Sequence, residues 1–503
     1  MNTQDLSPGR LRAILFTMGL SLMAVISAVS GLNMAIPSIA TATDASITEL
    51  QWIMDAYTVV FAGLLLIAGA VGDRFGRKGI LQFGLALFAL AALAAMFATT
   101  PSQLITYRAV MGLAAACVMP TTLSVITTVF PPEQRGKAVG LWVGIAAGGG
   151  VIGLFVAGLL LQWFDWSSFF GFNVALAVLA FFGATFIVPK NKMAQPLPLD
   201  IVGGLLSLVT VGGLVFGIIE GPTRGWDDGL TIGALAAGVI GGVAFVLWEL
   251  RREHPLLDPR LFKLRGFSSG SLSIFTQFFA AFGFFFVGMQ YLQFVAGLEP
   301  LQAAACILPM PLIVIPLSRF SPMIAARIGF RFMSPIGLIL MAAGFIVFTT
   351  MGTELVYWQL LIGLILFGTG MAIAGAPATT AIVSSLPHEK QGVASAVNDT
   401  SREMASALGI AVMGSILNQV YVDNFLPSLS KLPATVQDFL TSTIAWVNSP
   451  TAVKKLGPLA NTLIQEAKQS YLDGIRLAFL TAAIVLVVGA LVISLRAPRP
   501  GKK

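Results

Sequence analysis

Apolar runs of about 20 residues recur along almost the whole chain, parted by short polar or charged breaks. The first, AILFTMGLSLMAVISAVSGLNMAI, covers 13–36. A bilayer's hydrocarbon core takes about 20 helical residues to cross. On that length the pattern predicts fourteen spans, at 13–36, 50–71, 79–99, 103–126, 138–161, 168–188, 200–219, 230–248, 267–290, 301–318, 332–351, 355–376, 393–416 and 475–495. The predicted fold is therefore an all-α polytopic membrane protein. Six helices (1–188) are followed by a linker carrying two additional helices (189–266), then by six more (267–503). An outer segment, 418–474, has no span of its own, and stretches such as VQDFLTSTIAWV suggest an amphipathic helix at the membrane surface.

Composition narrows the class. Of 503 residues, 56% are hydrophobic and 11% charged, against about 25% charged in a soluble domain. The first apolar run is too long for a signal-peptide core and reads as a retained span. The two cysteines, Cys117 and Cys306, lie inside apolar runs, which excludes a disulfide scaffold and a CxxC metal motif. The two histidines, His254 and His388, lie in separate polar loops, so no histidine-based metal or catalytic centre is expected.

The net charge of +7 changes the picture only through its distribution. Most of the basic residues, among them Arg10, Arg12, Arg74, Arg77, Lys78, Arg135, Lys137, Arg251, Arg252, Arg327, Arg331 and Arg496, fall in one alternate set of loops and tails. The short loops of the other set hold Arg224 alone. Basic loops stay in the cytoplasm, so both termini are expected there. The positive charge is a topology signal, and no nucleic-acid partner is expected.

Two polar stretches punctuate the middle of the chain: PKNKMAQPLPLD (189–200), and ELRREHPLLDPRLFKLRGF (249–267), which reads as an amphipathic surface segment. A faint repeat relates the halves. DRFGRK (73–78) and ARIGFR (326–331) occupy matching loops, with Arg74, Gly76 and Lys78 opposite Arg327, Gly329 and Arg331. Related halves with a site between them are common in secondary transporters.

The stretch GAVGDRFGRKG (69–79) supplies Gly69, Asp73, Arg74, Gly76, Arg77 and Lys78 on a tight turn. Gly76 permits a tight backbone, and Asp73 can pair with basic groups or a helix N-terminus. A basic loop alone would be only a topology anchor. The full pattern, between the second and third predicted spans, resembles the signature of the major facilitator superfamily. LNMAIPSIA (32–40), LITYRAVMGLAAACVMPTTLSVI (104–126) and FNVALA (172–177) after Trp166 extend the resemblance. GIIEGPTRGW (217–226) and VNDTSREMASALGIAV (397–412) look like the fourteen-helix drug:proton antiporter branch. The resemblance implies a proton-coupled multidrug exporter in a bacterial plasma membrane, with an antibiotic-resistance role. It implies no cofactor beyond the proton gradient, and as partners small amphiphilic substrates, protons and membrane lipids; a monomer is expected.

The sequence departs from the family pattern in three places. The fifth-span signature of exporters is G-P-x-x-G-G, whereas this chain has GLFVAG (153–158), with Leu154 for proline and Ala157 for glycine. Small residues remain at Gly149, Gly153 and Ala157, spaced by four, a face that permits close helix packing, and Gly158 is a further packing candidate. Ala28 stands where the branch often has Asp, and Met111 where Gln is common.

Ionisable residues inside spans are the candidate chemistry, because a charge at the bilayer centre costs about 2.5–3.5 kcal/mol and usually faces a cavity or a partner. Asp55 and Arg108 each lie about five residues into a span from the outer face, roughly 7–8 Å deep. Equal depth suits a shared cavity or an ion pair, which is either structural or part of proton loading. The resemblance assigns Arg108 to the proton-coupling apparatus. Asp399, Arg402 and Glu403 fall at i, i+3 and i+4 and share a helix face. Arg402 can bridge both carboxylates, leaving one negative charge. The trio is either a clamp between helices or an acidic wall that binds a cation or carries the proton. Glu220 is a further acid near the outer end of the seventh span.

FFAAFGFFFVGMQYLQF (278–294) offers an aromatic wall with Gln290, Tyr291 and Gln293, and Asn33 and Tyr57 add polar groups to the cavity candidates. Such a wall suits hydrophobic, loosely specified ligands, while most individual phenylalanines are expected in the core or against lipid. A lipid or lipid-conjugate exporter on the same fold is the alternative cargo reading. No convergent nucleophile, base or metal set points to an enzyme, and no filter-like repeated loop points to a channel.

Overall fold

The structure is a computed structural model and describes residues 7–189, 199–253, 255–386, 391–430, 432–448, 454 and 456–498. All regular structure among them is helical. The first span is α1 (Pro8–Ser30) and α2 (Leu32–Thr43), interrupted at Gly31. Then follow α3 (Ile47–Phe75), α4 (Arg77–Met96), α5 (Pro101–Val129), α6 (Pro132–Trp163), α7 (Ser167–Phe186), α8 (Ile201–Arg224) and α9 (Gly229–Glu249). The remaining helices are α10 (Arg265–Gln290), which ends in a π turn (Tyr291–Val295), α11 (Pro300–Ile307), α12 (Pro309–Ile328), α13 (Phe330–Phe348), α14 (Tyr357–Ser384), α15 (Gln391–Phe425), α16 (Ala434–Ser442) and α17 (Ala460–Arg496). Helix ends remote from the Gly76 turn and its equivalents are called outer below.

Among the described residues, 12 helices are long and apolar enough to cross a membrane. α3 and α6, of 29 and 32 residues, lie at the second and fifth predicted spans, and some of their side chains fall outside the described set. Large apolar side chains face outward in numbers a soluble protein does not tolerate: Phe97 is 74% exposed, Phe186 76% and Leu495 78%. Hydrocarbon is the solvent that suits them.

Local sequence explains the boundaries. Ser7 caps α1 with Pro8 behind it, and Thr100 caps α5 with Pro101 behind it, so a hydroxyl accepts an orphan backbone N–H at each start. Gly76 joins α3 to α4 at φ 109° and Gly329 joins α12 to α13 at φ 92°, a region that only glycine occupies without strain.

By internal contacts the chain divides into two units. One comprises the described parts of Met1–Ala35, Ala56–Gly212 and Gly241–Leu256; the other comprises those of Ile36–Asp55, Gly213–Ile240 and Leu257–Lys503. In the first, α4 packs on α5 and α7, and α1 packs on α5, α6 and α7. In the second, α13 packs on α14 and α17, and α10 packs on α14, α15 and α17. The two schemes are the same when α1, α4, α5, α6 and α7 are matched with α10, α13, α14, α15 and α17. The repeat read from one loop thus extends to the packing of each half. It extends to detail: a Cβ on Gly153 of α6 would lie 2.7 Å from the Ser27 backbone of α1, and one on Gly409 of α15 would lie 2.2 Å from the Phe279 carbonyl of α10.

The core of the second unit is aromatic, with Phe284 4.9 Å from Phe348 and 5.3 Å from Phe367, centroid to centroid, and Phe345 and Phe479 closing the cluster. In the inserted pair, Gly213 of α8 and Gly238 of α9 let backbones meet: a Cβ on Gly213 would lie 2.8 Å from the Gly238 nitrogen. Of the polar linkers, 190–198 lies outside the described residues. Between α9 and α10 the regular structure among the described residues is a short 3₁₀ turn, Pro259–Lys263, capped by Asp258, and Leu257, Leu261 and Phe262 pack on a buried cluster that includes Phe267 and Ile274.

The outer segment differs from its expected form. α15 runs on to Phe425 and α17 begins at Ala460, so much of 418–474 prolongs those two helices. Between them Trp446 is buried and stacks 6.1 Å from Phe425, while the Tyr421 hydroxyl and the Trp446 indole N–H both donate to the Leu440 carbonyl, at 2.7 and 3.2 Å. Turn-rich sequence hid the fact that its aromatics bury one another.

Candidate substrate and proton sites

Helix α15 carries the acidic trio. Arg402 Nη2 lies 3.4 Å from Asp399 Oδ1, and its Nε lies 3.4 Å from Glu403 Oε1. One guanidinium therefore bridges both carboxylates, as the i, i+3, i+4 spacing anticipates. Both contacts are longer than the 2.7–2.9 Å of a tight charge-assisted bond. The Glu403 side chain is 8% exposed and that of Arg402 20%, so the group faces protein more than solvent. Arg402 also stacks over Phe278 of α10, 5.5 Å from the ring centroid. Thr379 of α14 donates to Asn398 Oδ1 at 3.1 Å, beside Asp399. Asp399 and Glu403 lie eight and twelve residues from the start of α15, about 12 and 18 Å along its axis. The arrangement sets one guanidinium, shared by two carboxylates, against an aromatic ring.

Arg108 of α5 is fully buried. Its Nη1 donates to the Ala28 carbonyl of α1 at 3.1 Å, and its guanidinium carbon lies 4.3 Å from the Tyr57 ring centroid. A cation at that distance gains from the ring quadrupole when desolvated. The Tyr57 hydroxyl in turn donates to the Val25 carbonyl at 3.0 Å, which fixes the ring. Asn33 donates to Val29 O at 3.1 Å within its own first span. A Cβ on Gly112, one turn along α5, would sit 2.4 Å from the Tyr57 carbonyl oxygen, so glycine there lets α3 approach. Asp55 is likewise fully buried, eight residues into α3. Both helices start earlier than their apolar runs, so Asp55 and Arg108 lie about 12 and 10 Å from their outer ends.

The loop motif is tied down on the opposite side. Arg77 Nη1 donates to the Ser124 carbonyl at 3.0 Å and to Thr128 Oγ1, both of α5. Lys78 Nζ donates to the Thr185 and Val188 carbonyls, at 2.7 and 2.8 Å, capping the end of α7. Arg74 stacks over Phe75. A Cβ on Gly69 would meet Pro120 at ordinary contact distance. The Asp73 side chain lies outside the described set. In α6, a Cβ on Gly153 would meet α1 closely and one on Gly149 only at ordinary contact, and Gly158 is buried; the helix runs unbroken through Leu154.

Other candidates are engaged in structural bonds. Gln290 Oε1 accepts from the Tyr471 hydroxyl at 2.6 Å, and the Tyr291 hydroxyl donates to Gly352 O at 2.9 Å, both at the outer end of α10. Gln293 is buried. Glu220 accepts from the Trp52 indole at 2.8 Å and from Arg224 Nε at 2.7 Å.

Sequence reasoning missed the polar set around Glu220. Thr48, Gln51 and Trp52 of α3 meet Thr223 of α8 and Ser415 and Asn418 of α15. The signal available was a polar stripe at three- to four-residue spacing on α3, which a reading confined to charges passes over.

A model of the Major Facilitator Superfamily matches residues 18–410. Multidrug resistance protein Stp of Mycobacterium tuberculosis is 30% identical over 94% of this chain and 90% of that protein. Methyl viologen resistance protein SmvA of Salmonella typhimurium is 33% identical over 91% of both. Multidrug efflux pump LfrA of Mycolicibacterium smegmatis is 30% identical over 92% of this chain and 91% of its own length. Among solved structures, an inward-facing bacterial homolog of the lysosomal transporter Spinster aligns with a TM-score of 0.64 at 18% identity, over 98% of each chain. A POT family transporter aligns at 0.65 and 14% identity, over 98% of this chain and 96% of its own. These two likenesses concern the fold alone.

Proposed function

We propose that this chain, which belongs to the major facilitator superfamily, is a multidrug exporter that trades protons for amphiphilic compounds, cations among them, by alternating access. Relatives named for multidrug resistance, methyl viologen resistance and multidrug efflux, each matched along most of the chain, support drug export and an antibiotic-resistance role in a bacterial plasma membrane. We read fourteen spans, counting α3 and α6 with the twelve, and place both termini in the cytoplasm because the basic loops cluster on that side. The working unit is taken as a monomer surrounded by lipid, with the proton gradient as its energy source.

The observation that carries the reading is the Asp399–Arg402–Glu403 trio. Two carboxylates share one guanidinium on a membrane helix beside Phe278, so one negative charge is left for an exchangeable cation. A proton arriving at that charge displaces an organic cation, and an organic cation displaces the proton. This competition for one charge is the minimum that antiport requires. Arg108, held by Tyr57 and Ala28, is a fixed positive charge that no cation replaces, and we assign it to setting the field in which buried acids exchange protons.

The test is uptake of methyl viologen into inside-out proteoliposomes under an imposed pH gradient. Wild-type protein is expected to accumulate the dye only with the interior acid. Glu403→Gln is expected to lose gradient-driven accumulation. Equal accumulation with and without the gradient removes the antiport reading.

A further inference from the structure

We propose that the outer ends of α3 and the inserted helix α8 form one moving part, latched to α15 while the outer side is closed, and that release of this latch is a step of the transport cycle. The inference rests on the exporter reading.

Two kinds of contact meet here. α3 is bound to α8 by Trp52 donating to Glu220 Oε1 at 2.8 Å, by Thr48 and Thr223 hydroxyls 2.7 Å apart, and by Trp52 packing 5.6 Å from Phe216. Glu220 is simultaneously paired with Arg224 of its own helix at 2.7 Å. Separating α3 from α8 would therefore strip a partner from a carboxylate that is only 13% exposed, a costly change.

The bonds to α15 are of another sort. Gln51 Nε2 donates to the Ala411 carbonyl at 3.1 Å and to Ser415 Oγ at 3.3 Å. Asn418 Nδ2 donates to Thr48 Oγ1 at 3.2 Å, and Ser415 Oγ donates to the Ile218 carbonyl of α8 at 2.7 Å. All are neutral amide, hydroxyl and carbonyl groups, so parting them uncovers no charge and water can replace each partner. Such bonds contribute roughly 2- to 12-fold each to an equilibrium. A handful of them makes a closed state that a bound ligand can still reverse. Gly414 completes the seat, since a Cβ there would lie 2.5 Å from Gln51 Nε2. The inserted helix is thereby given mechanical work: it braces α3 and contributes a carbonyl to the latch.

Paired cysteines in the full-length protein test this. Thr48→Cys with Asn418→Cys joins α3 to α15, and Thr48→Cys with Thr223→Cys joins α3 to α8; both side-chain pairs already touch. Oxidation of the first pair is expected to cut methyl viologen transport at least tenfold, with reductant restoring it. Oxidation of the second is expected to leave transport within twofold of the reduced protein. Undiminished transport by the oxidised first pair, or arrest by the oxidised second, overturns the proposal. The reduced forms report whether the substitutions themselves are tolerated. A second measurement does not require transport. Labelling of Thr48→Cys by a membrane-impermeant maleimide, above the background set by the unsubstituted chain, is expected to rise severalfold when Gln51→Ala and Ser415→Ala are added. Unchanged labelling overturns the latch even if methyl viologen is not a substrate, whereas latch-dependent labelling without transport by any reduced form counts against the exporter reading alone.

Discussion

The Arg402 guanidinium carbon lies 5.5 Å from the centroid of the Phe278 ring, which sets a charged side chain of α15 on the aromatic flank of α10. The same guanidinium spans Asp399 and Glu403. Arg402→Ala leaves two mostly buried carboxylates without their shared cation, a loss on the order of 3–5 kcal/mol for a buried pair broken on one side. The unfolding temperature in detergent is expected to fall by several degrees and the proposed methyl viologen transport by more than tenfold. Arg402→Lys keeps the charge but not the fork, and is expected to recover stability further than transport.

Arg108 calls for a planar cation. Its side chain both stacks on Tyr57 and donates to a backbone carbonyl, and an ammonium cannot hold both in one geometry. Arg108→Lys is expected to lose most gradient-driven transport. Tyr57→Phe keeps the ring and removes one hydrogen bond to Val25, a change of about 0.5–1.5 kcal/mol. It is expected to keep at least half of wild-type transport. Parallel flux measurements on the two variants check the contrast.

Glycines separate packing from flexibility. Gly112→Ala drives a methyl to 2.4 Å from the Tyr57 carbonyl and is expected to destabilise by about 1–3 kcal/mol. Gly79→Ala, on α4 with nothing within 4 Å of the new methyl, is expected to be neutral or slightly stabilising. Thermal shifts on both, at equal detergent and lipid, decide whether close approach of α3 and α5 is what Gly112 serves.

The turn between α3 and α4 is a strain test. Gly76→Ala places a side chain at φ 109° and is expected to cost about 1–3 kcal/mol. Gly329→Ala, at φ 92° in the matching turn, is expected to cost a similar amount. Lys78→Ala frees two carbonyls at the end of α7 and is expected to loosen that end, which hydrogen exchange across 183–188 would register.

The outer segment is expected to unfold as part of the second unit and not as a loose surface helix. Trp446→Ala removes a buried indole stacked on Phe425 and is expected to lower stability by about 3–5 kcal/mol. A protease accessibility assay on the outer face should show 432–448 protected in the wild type and cleaved in the variant.

The membrane class, the positions of the apolar helices, the glycine turns at Gly76 and Gly329 and the shared face of Asp399, Arg402 and Glu403 follow from the sequence alone. Each depends on local rules: the length of an apolar run, the φ that only glycine adopts freely, and 3.6 residues per turn. Tertiary structure decided the rest. The Ala28 carbonyl that receives Arg108 lies 80 positions away in the chain, and the Ala411 carbonyl that receives Gln51 lies 360 away. The burial of Trp446 depends on neighbours contributed by a different segment, α15. Backbone carbonyls leave no mark in composition or periodicity, so their use as acceptors across helices becomes visible only when the helices have been packed.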